Sequence, residues 1–495
     1  MQNITYVTLY PMSAKNPYNN SHSSTAAGND GATATKSDSA DNMARIRELG
    51  NAPVGRLLWK YSLPAVVGTV VSAIYNIVDS IVIGHAINDP NVVAGIAVTF
   101  PVMNIIVALG MLIGAGAATR VSIVMGQNDK RVAEIILGNC VQLTLIIGVV
   151  YAAIFGIFIE PILKAFGASA NSMPYAKEFM LWVLPGCVLQ NLTFSYNNVM
   201  RASGYPGKAM YTNLIGAILN IILAPLFLFG FGWGIRGAAI ATDISMTVTA
   251  IWVMSHFFNK KNTLHFVRGT FRFNWPVIRG VLYIGMAPFL INVTGSLVNA
   301  IVNNTLMNYG GDNAIASVVV FNRYVTIFIF IIIGVCQGMQ PIVGYNYGAG
   351  RHNRLFRAFT LAAITGVVVS STGSVIGALC PRAIASMFMQ DEAQIECAVN
   401  CLRITTLTFW MVGFQIVTTN FFQSLGMAGK SVFLSLTRQI LFLIPLLLIL
   451  PPLMRLDGVW SAYPISDFIS TVVATVMLVF LVKRIRRSAP PSPAI

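Results

Sequence analysis

Residues 203–210 read SGYPGKAM, and residues 424–432 read SLGMAGKSV. Gly204, Gly207 and Lys208 of the first stretch return as Gly426, Gly429 and Lys430 of the second, each 222 residues later. The same interval separates Gly116 from Gly338 and Gly126 from Gly348. Near the start of each half it becomes 224, pairing Pro64 with Pro288 and Asp79 with Asn303. A near-constant offset across half the chain points to an internal duplication.

What is duplicated is apolar. Hydrophobic residues form 55% of the 495-residue chain and charged residues 10%, whereas a soluble domain carries about 25% charged residues. Runs such as LPAVVGTVVSAIYNIV and LIIGVVYAAIFGIFI meet the requirement of roughly 20 apolar residues per membrane span. Twelve spans fit between residues 58 and 483, six in each repeat. An even number of spans returns the chain to its starting side, so the repeats share one orientation and are related by an axis along the membrane normal. The expected fold is therefore an all-α polytopic membrane protein: twelve transmembrane helices in two six-helix lobes related by a pseudo-twofold axis, with a cavity between them.

The formal net charge of +15 follows the same plan. Lys130, Arg131, Arg201, Lys208, Arg351, Arg354, Arg357 and Lys430 fall at even-numbered junctions, and Lys483, Arg484, Arg486 and Arg487 at the end. Odd junctions hold only Lys164, Lys177, Arg236, Arg382 and Arg455. The positive-inside rule then places both termini in the cytoplasm, and it accounts for the charge without nucleic acid. The expected divisions are a disordered N-terminal tail at 1–52, an N-lobe at 53–260, a cytoplasmic loop at 261–276, a C-lobe at 277–483 and a basic tail at 484–495. Residues 1–42, rich in Ser, Asn, Ala and Thr, are expected to be dispensable, with Met43 reading as a start. The six cysteines form no CxxC pair, and the five histidines form no metal or catalytic cluster. With no nucleotide-binding motif either, energy for transport has to come from an ion gradient.

Ionisable residues deep in a span are expensive and usually functional. Asp79, inside YNIVDSIVIG, can hold a proton or Na⁺, with Asn76 on the same helix face and Pro64 as a hinge fifteen residues earlier. Asn220 and Thr242 bring an amide and a hydroxyl of the kind that ligates hard cations. Asp243 follows Thr242, and Ala238 lies one turn before it. The expected cation set is Asp79, Asn220, Thr242, Asp243, Asn76 and Ala238. The expected lining of the substrate cavity is Met200, Tyr75, Gln190, Arg323, Gln415 and Met411. Arg403, Arg438 and Asp467 are further span charges that pair or snorkel, and Arg438, eight residues past Lys430, is expected to snorkel.

The duplication, Pro64 with YNIVD through Asp79, MGQNDKR at 125–131 and RASGYPGK together resemble the multidrug and toxic compound extrusion (MATE) family, its DinF-like and MepA-like bacterial branch. The resemblance covers residues 53–483. It implies a monomeric antiporter in the bacterial inner membrane, exporting amphipathic, often cationic drugs, dyes or metabolites in exchange for Na⁺ or H⁺, with no other cofactor. It assigns the cation site to Asp79, Asn220 and Thr242. Many relatives have LNxxLDP where this chain has LNIILAP, so Ala224 stands in the place of a carboxylate. Asp243 is one candidate to replace it; Asp79 with neutral ligands is the other. The rival readings are a lipid-linked sugar flippase, which would bring additional spans or an Arg-rich cavity, and a transporter of the major facilitator type, whose span 2–3 loop GQNDKRVAE matches poorly.

Overall fold

The fold is that of a computed structural model in which residues 44–86, 90–267 and 269–488 are described. The first half comprises α1 (Val54–Ala86), α2 (Pro90–Gly126), α3 (Lys130–Ile157), α4 (Met173–Ala202), α5 (Pro206–Pro225, prolonged by a π-helical turn Leu226–Gly230) and α6 (Gly234–Phe258). The helical stretch Trp275–Gly348 is broken at Gly311, φ 61°, into α7 (275–310) and α8 (312–348). Next come α9 (His352–Leu379) and α10, whose pieces Glu392–Thr405 and Phe409–Ser424 meet at 55°. The segment α11 opens as Ala428–Leu436, passes through a π-helical stretch Thr437–Leu443 and runs to Arg455, where φ of 53° starts α12 (456–488). Short helices Ile159–Ala165 and Pro381–Ser386 begin 222 residues apart, at the same place in each half.

By length and apolarity, eight described helical stretches can cross a membrane, or nine with the bent pair. Two of these are double, turning at Gly311 and Arg455. The α4 helix falls short because Lys177, Glu178, Asn191, Asn197, Asn198 and Arg201 dilute its apolar run. Together these make twelve crossings, and both ends of the described chain lie on one side.

Local chemistry fixes the joints. Asp129, Asn274 and Asp391 cap α3, α7 and α10, each side chain accepting from a backbone N–H three residues on, which satisfies an otherwise orphan donor. The repeated SGYPGK and SLGMAGK stretches are the turns after α4 and α10. Gly204 and Gly426 hold φ of 98° and 73° there, a left-handed conformation that costs a residue with a Cβ roughly 1–2 kcal/mol. The motif that revealed the repeat is thus a duplicated helix stop.

Helices α1 and α2 of the first lobe pack on α7 and α8 of the second. A Cβ on Gly126 would overlap the Tyr345 carbonyl, and one on Gly348 would overlap the Ile123 carbonyl. Ile123 and Tyr345 are themselves 222 apart, so this contact obeys the pseudo-twofold. Gly116 lies against Val281, Gly285 against Leu112, Gly334 against Val66 and Gly338 against Ser62. In lipid, apolar burial gives little drive for helix association, and close van der Waals approach of small residues supplies it. Cross-lobe hydrogen bonds add to this. Gln340 Nε2 donates to Thr119 Oγ1 at 2.6 Å, and Thr69 Oγ1 to the Phe330 carbonyl at 3.1 Å.

Several expectations need correcting. The tail expected to be disordered over 1–52 is helical over 44–51; residues 1–43 lie outside the described chain. Ile46 and Leu49, three apart, are buried. The Leu49 carbonyl accepts from Asn346 Nδ2 at 3.0 Å, and Arg351 and Arg354 donate to the Gly50 and Ala52 carbonyls. This helix therefore belongs to the seam between the lobes. The loop expected at 261–276 ends earlier, since α7 starts at Trp275. Its residues are pinned to α3, where Asn139 Nδ2 donates to the Arg272 carbonyl at 3.2 Å. The basic tail expected from 484 is helical to Ser488. Arg201, read as a junction charge, is buried. It donates to the side-chain oxygens of Gln337 (2.6 Å), Asn197 (3.3 Å) and Asn198 (3.4 Å), joining α4 to α8. At the opposite end of the bundle, Lys177, Arg236 and Arg382 are paired with Glu160, Glu178 and Glu392.

Candidate functional site

Inside the first lobe, α5 and α6 meet through polar side chains in an apolar wall. Asn220 Nδ2 donates to Thr242 Oγ1 at 3.1 Å, and Thr242 Oγ1 donates to the Ala238 carbonyl at 3.0 Å. All three residues are buried. A hydroxyl has one proton and two lone pairs, so Thr242 keeps one lone pair and Asn220 keeps its carbonyl oxygen.

Asp79 stands about one helical turn from the level of this pair. Gly68 of α1 packs directly on Asn213 of α5, and the two helices run in parallel. Eleven residues further along each, about 16 Å at 1.5 Å per residue, residue 79 stands beside residue 224. Val82 accordingly packs in one apolar cluster with Ala224, Leu223 and Ala238. Asp79 Oδ1 is buried and has no hydrogen-bond partner. A buried carboxylate oxygen without a partner is costly unless a proton or cation meets it. The oxygens of Asn220, Thr242 and Ala238, one helical turn from the level of Asp79, are of the kind hard cations take as ligands; Ala224 leaves the α5 wall beside Asp79 without a second carboxylate.

Asp243 is not aimed at this set. Its side chain lies against Gly186 of α4, where a Cβ would overlap the carboxylate, and its Oδ1 is also unpartnered. Adjacent helical residues diverge by about 100°, so Thr242 facing α5 turns Asp243 toward α4. The Asn76 side chain lies outside the described ones. Helix α1 runs helical through Pro64 without a break.

The expected cavity residues differ in burial. Met200 is fully buried in the core where α4 ends, with its neighbours Val199 and Ala202. Arg323 is exposed, while its neighbour Asn322 faces a cavity of the second lobe. Tyr75 is half-buried one helical turn from Asp79, Gln190 is half-buried, and Met411 is half-buried just past the bend of α10. Gln415 is buried; the side-chain oxygens of Gln190 and Gln415 are unpartnered.

Arg438 does not snorkel. Its Nε donates to Asp467 Oδ1 at 2.7 Å, and the Ser466 hydroxyl donates to its carbonyl at 2.7 Å. The reason is the hairpin at Arg455, which lays α12 along α11 and brings a carboxylate within reach. Sequence reasoning named both residues without joining them. It missed Gln439, Asn299 and Asn322, which share a cavity wall with them.

The sequence matches the MatE family over residues 64–226 and 288–449, one match in each lobe. It is 27% identical over 435 residues to the multidrug export protein MepA of Staphylococcus aureus NCTC 8325, covering 87% of this chain and 95% of that protein. Its fold is similar to an outward-facing multidrug resistance MATE family transporter of the MOP superfamily, with TM-score 0.84, 23% identity and 88% and 98% of the two chains covered. A MATE structure in a bent conformation is similar too, with TM-score 0.84, 22% identity and coverage of 90% and 98%.

Proposed function

This chain belongs to the MatE family, and on that premise we propose that it is a secondary active multidrug efflux antiporter. It exports amphipathic and cationic organic compounds in exchange for Na⁺ or H⁺, as a monomer in the bacterial inner membrane with both termini in the cytoplasm. The observation that carries the ion-coupled part is the Asp79 carboxylate. One of its oxygens is buried and unpartnered, one helical turn from the level of the Asn220–Thr242 pair. The export itself is supported by the printed name of the S. aureus relative, which spans nearly the same length.

The physical cycle follows from where the lobes touch. The glycine seams at Gly126–Tyr345 and Gly348–Ile123 lie where α2 and α8 end, on the side of the termini, so the cytoplasmic ends are closed together. A cation bound at Asp79 neutralises the carboxylate and changes how α1 packs on α5. Because α1 also carries Ser62 and Val66 at the seam with α8, a shift in α1 reaches the lobe contact directly. Alternating access needs a two-state element that both cargoes bias, and α1 is placed to be that element. The test is ethidium transport in proteoliposomes with Na⁺ and pH gradients imposed separately. Transport driven by one of the gradients is expected; transport insensitive to both would overturn antiport.

A further inference from the structure

The second lobe encloses a cavity of about 190 Å³ between α7, α8, α11 and α12. Asn299, Asn322, Arg438, Gln439, Tyr463 and Asp467 are on its wall. The π-helical stretch Thr437–Leu443 carries Arg438 and Gln439 side by side; such local widenings of an α-helix are frequent at functional sites.

The donors and acceptors on this wall are only partly matched. Arg438 uses Nε to hold Asp467. Its side chain is 29% exposed against 6% for Asp467, so the carboxylate sits behind and the guanidinium reaches the cavity. The two terminal nitrogens of its planar fork remain for an anion, and a carboxylate fits that fork bidentately. Beside it, Gln439 Oε1 is buried with no hydrogen-bond partner, an acceptor awaiting an N–H donor. The wall therefore asks for an anionic oxygen and a donor nitrogen together. Charge balance narrows this further. Arg438 and Asp467 cancel, so a lone anion or a lone cation would leave a net charge in a low-dielectric site, which is costly. A ligand that carries both charges leaves none.

We propose that this cavity is a binding subsite for zwitterionic organic compounds. It takes their carboxylate on the terminal nitrogens of Arg438, and their protonated amine against Gln439 Oε1 and the neighbouring asparagine amides. A volume of about 190 Å³ holds a charged head but not a whole drug, since drug-sized pockets run roughly 300–1,000 Å³; the apolar remainder of the compound extends toward the space between the lobes. This inference rests on the multidrug-export reading.

The test compares three probes in proteoliposomes: norfloxacin, which is a zwitterion, its ethyl ester, which lacks the carboxylate, and ethidium, which is only cationic. The variant is the double substitution Arg438→Gln with Asp467→Asn, which leaves no unpaired buried charge; Arg438→Lys is the conservative control. A rise in KM of about tenfold for norfloxacin alone is expected for the double variant, a factor of the size lost with one charged contact, with partial recovery in Arg438→Lys. Equal loss for all three probes, or no change for any, would overturn the subsite. Ethidium export by the wild-type protein keeps the two readings apart, because its absence would overturn export itself and not the subsite alone.

Discussion

Both lobes join their fifth and sixth helices through polar side chains, and they do so in opposite electrostatic states. In the first lobe the join is neutral, Asn220 to Thr242 at 3.1 Å, and the nearby acid Asp79 has an unpartnered oxygen. In the second the join is an ion pair, Arg438 to Asp467 at 2.7 Å. At the 222-residue offset, Phe442 and Pro464 stand where Asn220 and Thr242 do, and at the 224-residue offset of the first helices Asn303 stands for Asp79. Duplication kept the backbone and let the chemistry diverge. A carboxylate already neutralised by arginine has no reason to take a cation; one left without a partner, near neutral oxygen ligands such as Asn220 and Thr242, does. On the reading proposed above, the difference divides the labour, with the ion switch in the first lobe and recognition of zwitterionic ligands in the second.

The largest effect should come from unbalancing the ion pair. Arg438→Met leaves Asp467 buried without a counter-charge and is expected to destabilise the protein by about 3 kcal/mol, at the low end of what broken buried pairs cost. Arg438→Met combined with Asp467→Leu should recover most of that. Denaturation in detergent measures both, and a double variant no more stable than the single one would break the comparison. The scaffold should respond symmetrically. Gly126→Val and Gly348→Val each drive a side chain into the other lobe's backbone; each is expected to cost about 1–3 kcal/mol and to raise labelling of cysteines introduced on the cytoplasmic side of the seam. Similar responses at the two glycines sharpen the pseudo-twofold, and a response at only one contradicts it.

A smaller effect distinguishes the two acids of the first lobe. Asp243 faces Gly186 and not the Asn220–Thr242 pair, so Asp243→Asn should change gradient-driven ethidium export by less than about threefold, under roughly 0.7 kcal/mol in barrier. Abolition of export would place Asp243 in the ion switch. The least effect is expected at Glu160, which is fully exposed. The Lys177 ammonium beside it holds its carboxyl below the usual carboxylate range. Stability from a depressed carboxylate is present above its unfolded pKa and is lost as pH falls through the folded one, but solvent screens this pair. Glu160→Gln should leave the melting temperature unchanged at pH 7, and a measurable drop would show that charge pairs on the far face matter more than held here.

Much of the fold could be read before the structure, because membrane spans are long apolar runs and the helix stops at Gly204 and Gly426 demand glycine wherever they occur. The same offset pointed to Gly126 and Gly348, though not to their partners across the seam. Asn220 and Thr242 stood out as polar residues in apolar helices. The Arg438–Asp467 pair did not, because the 29 residues between them include the hairpin at Arg455, and spacing alone does not place side chains across a hairpin. Arg201 was hidden for a related reason. It ends a helix beside a basic turn, and only the packing of α4 on α8 shows that amide oxygens bury it. The helix over 44–51 is short and mostly polar; only Ile46 and Leu49 mark its buried face.

On this division of labour, ion coupling belongs to the first lobe alone. Proteoliposomes carrying the wild-type protein, Asp79→Asn, or Arg438→Gln with Asp467→Asn should be compared for ethidium export under the same imposed Na⁺ and pH gradients. Gradient-driven export is expected to be lost in Asp79→Asn and kept in the second-lobe double variant. Export that survives in Asp79→Asn, or whose ion dependence disappears in the double variant, would contradict it.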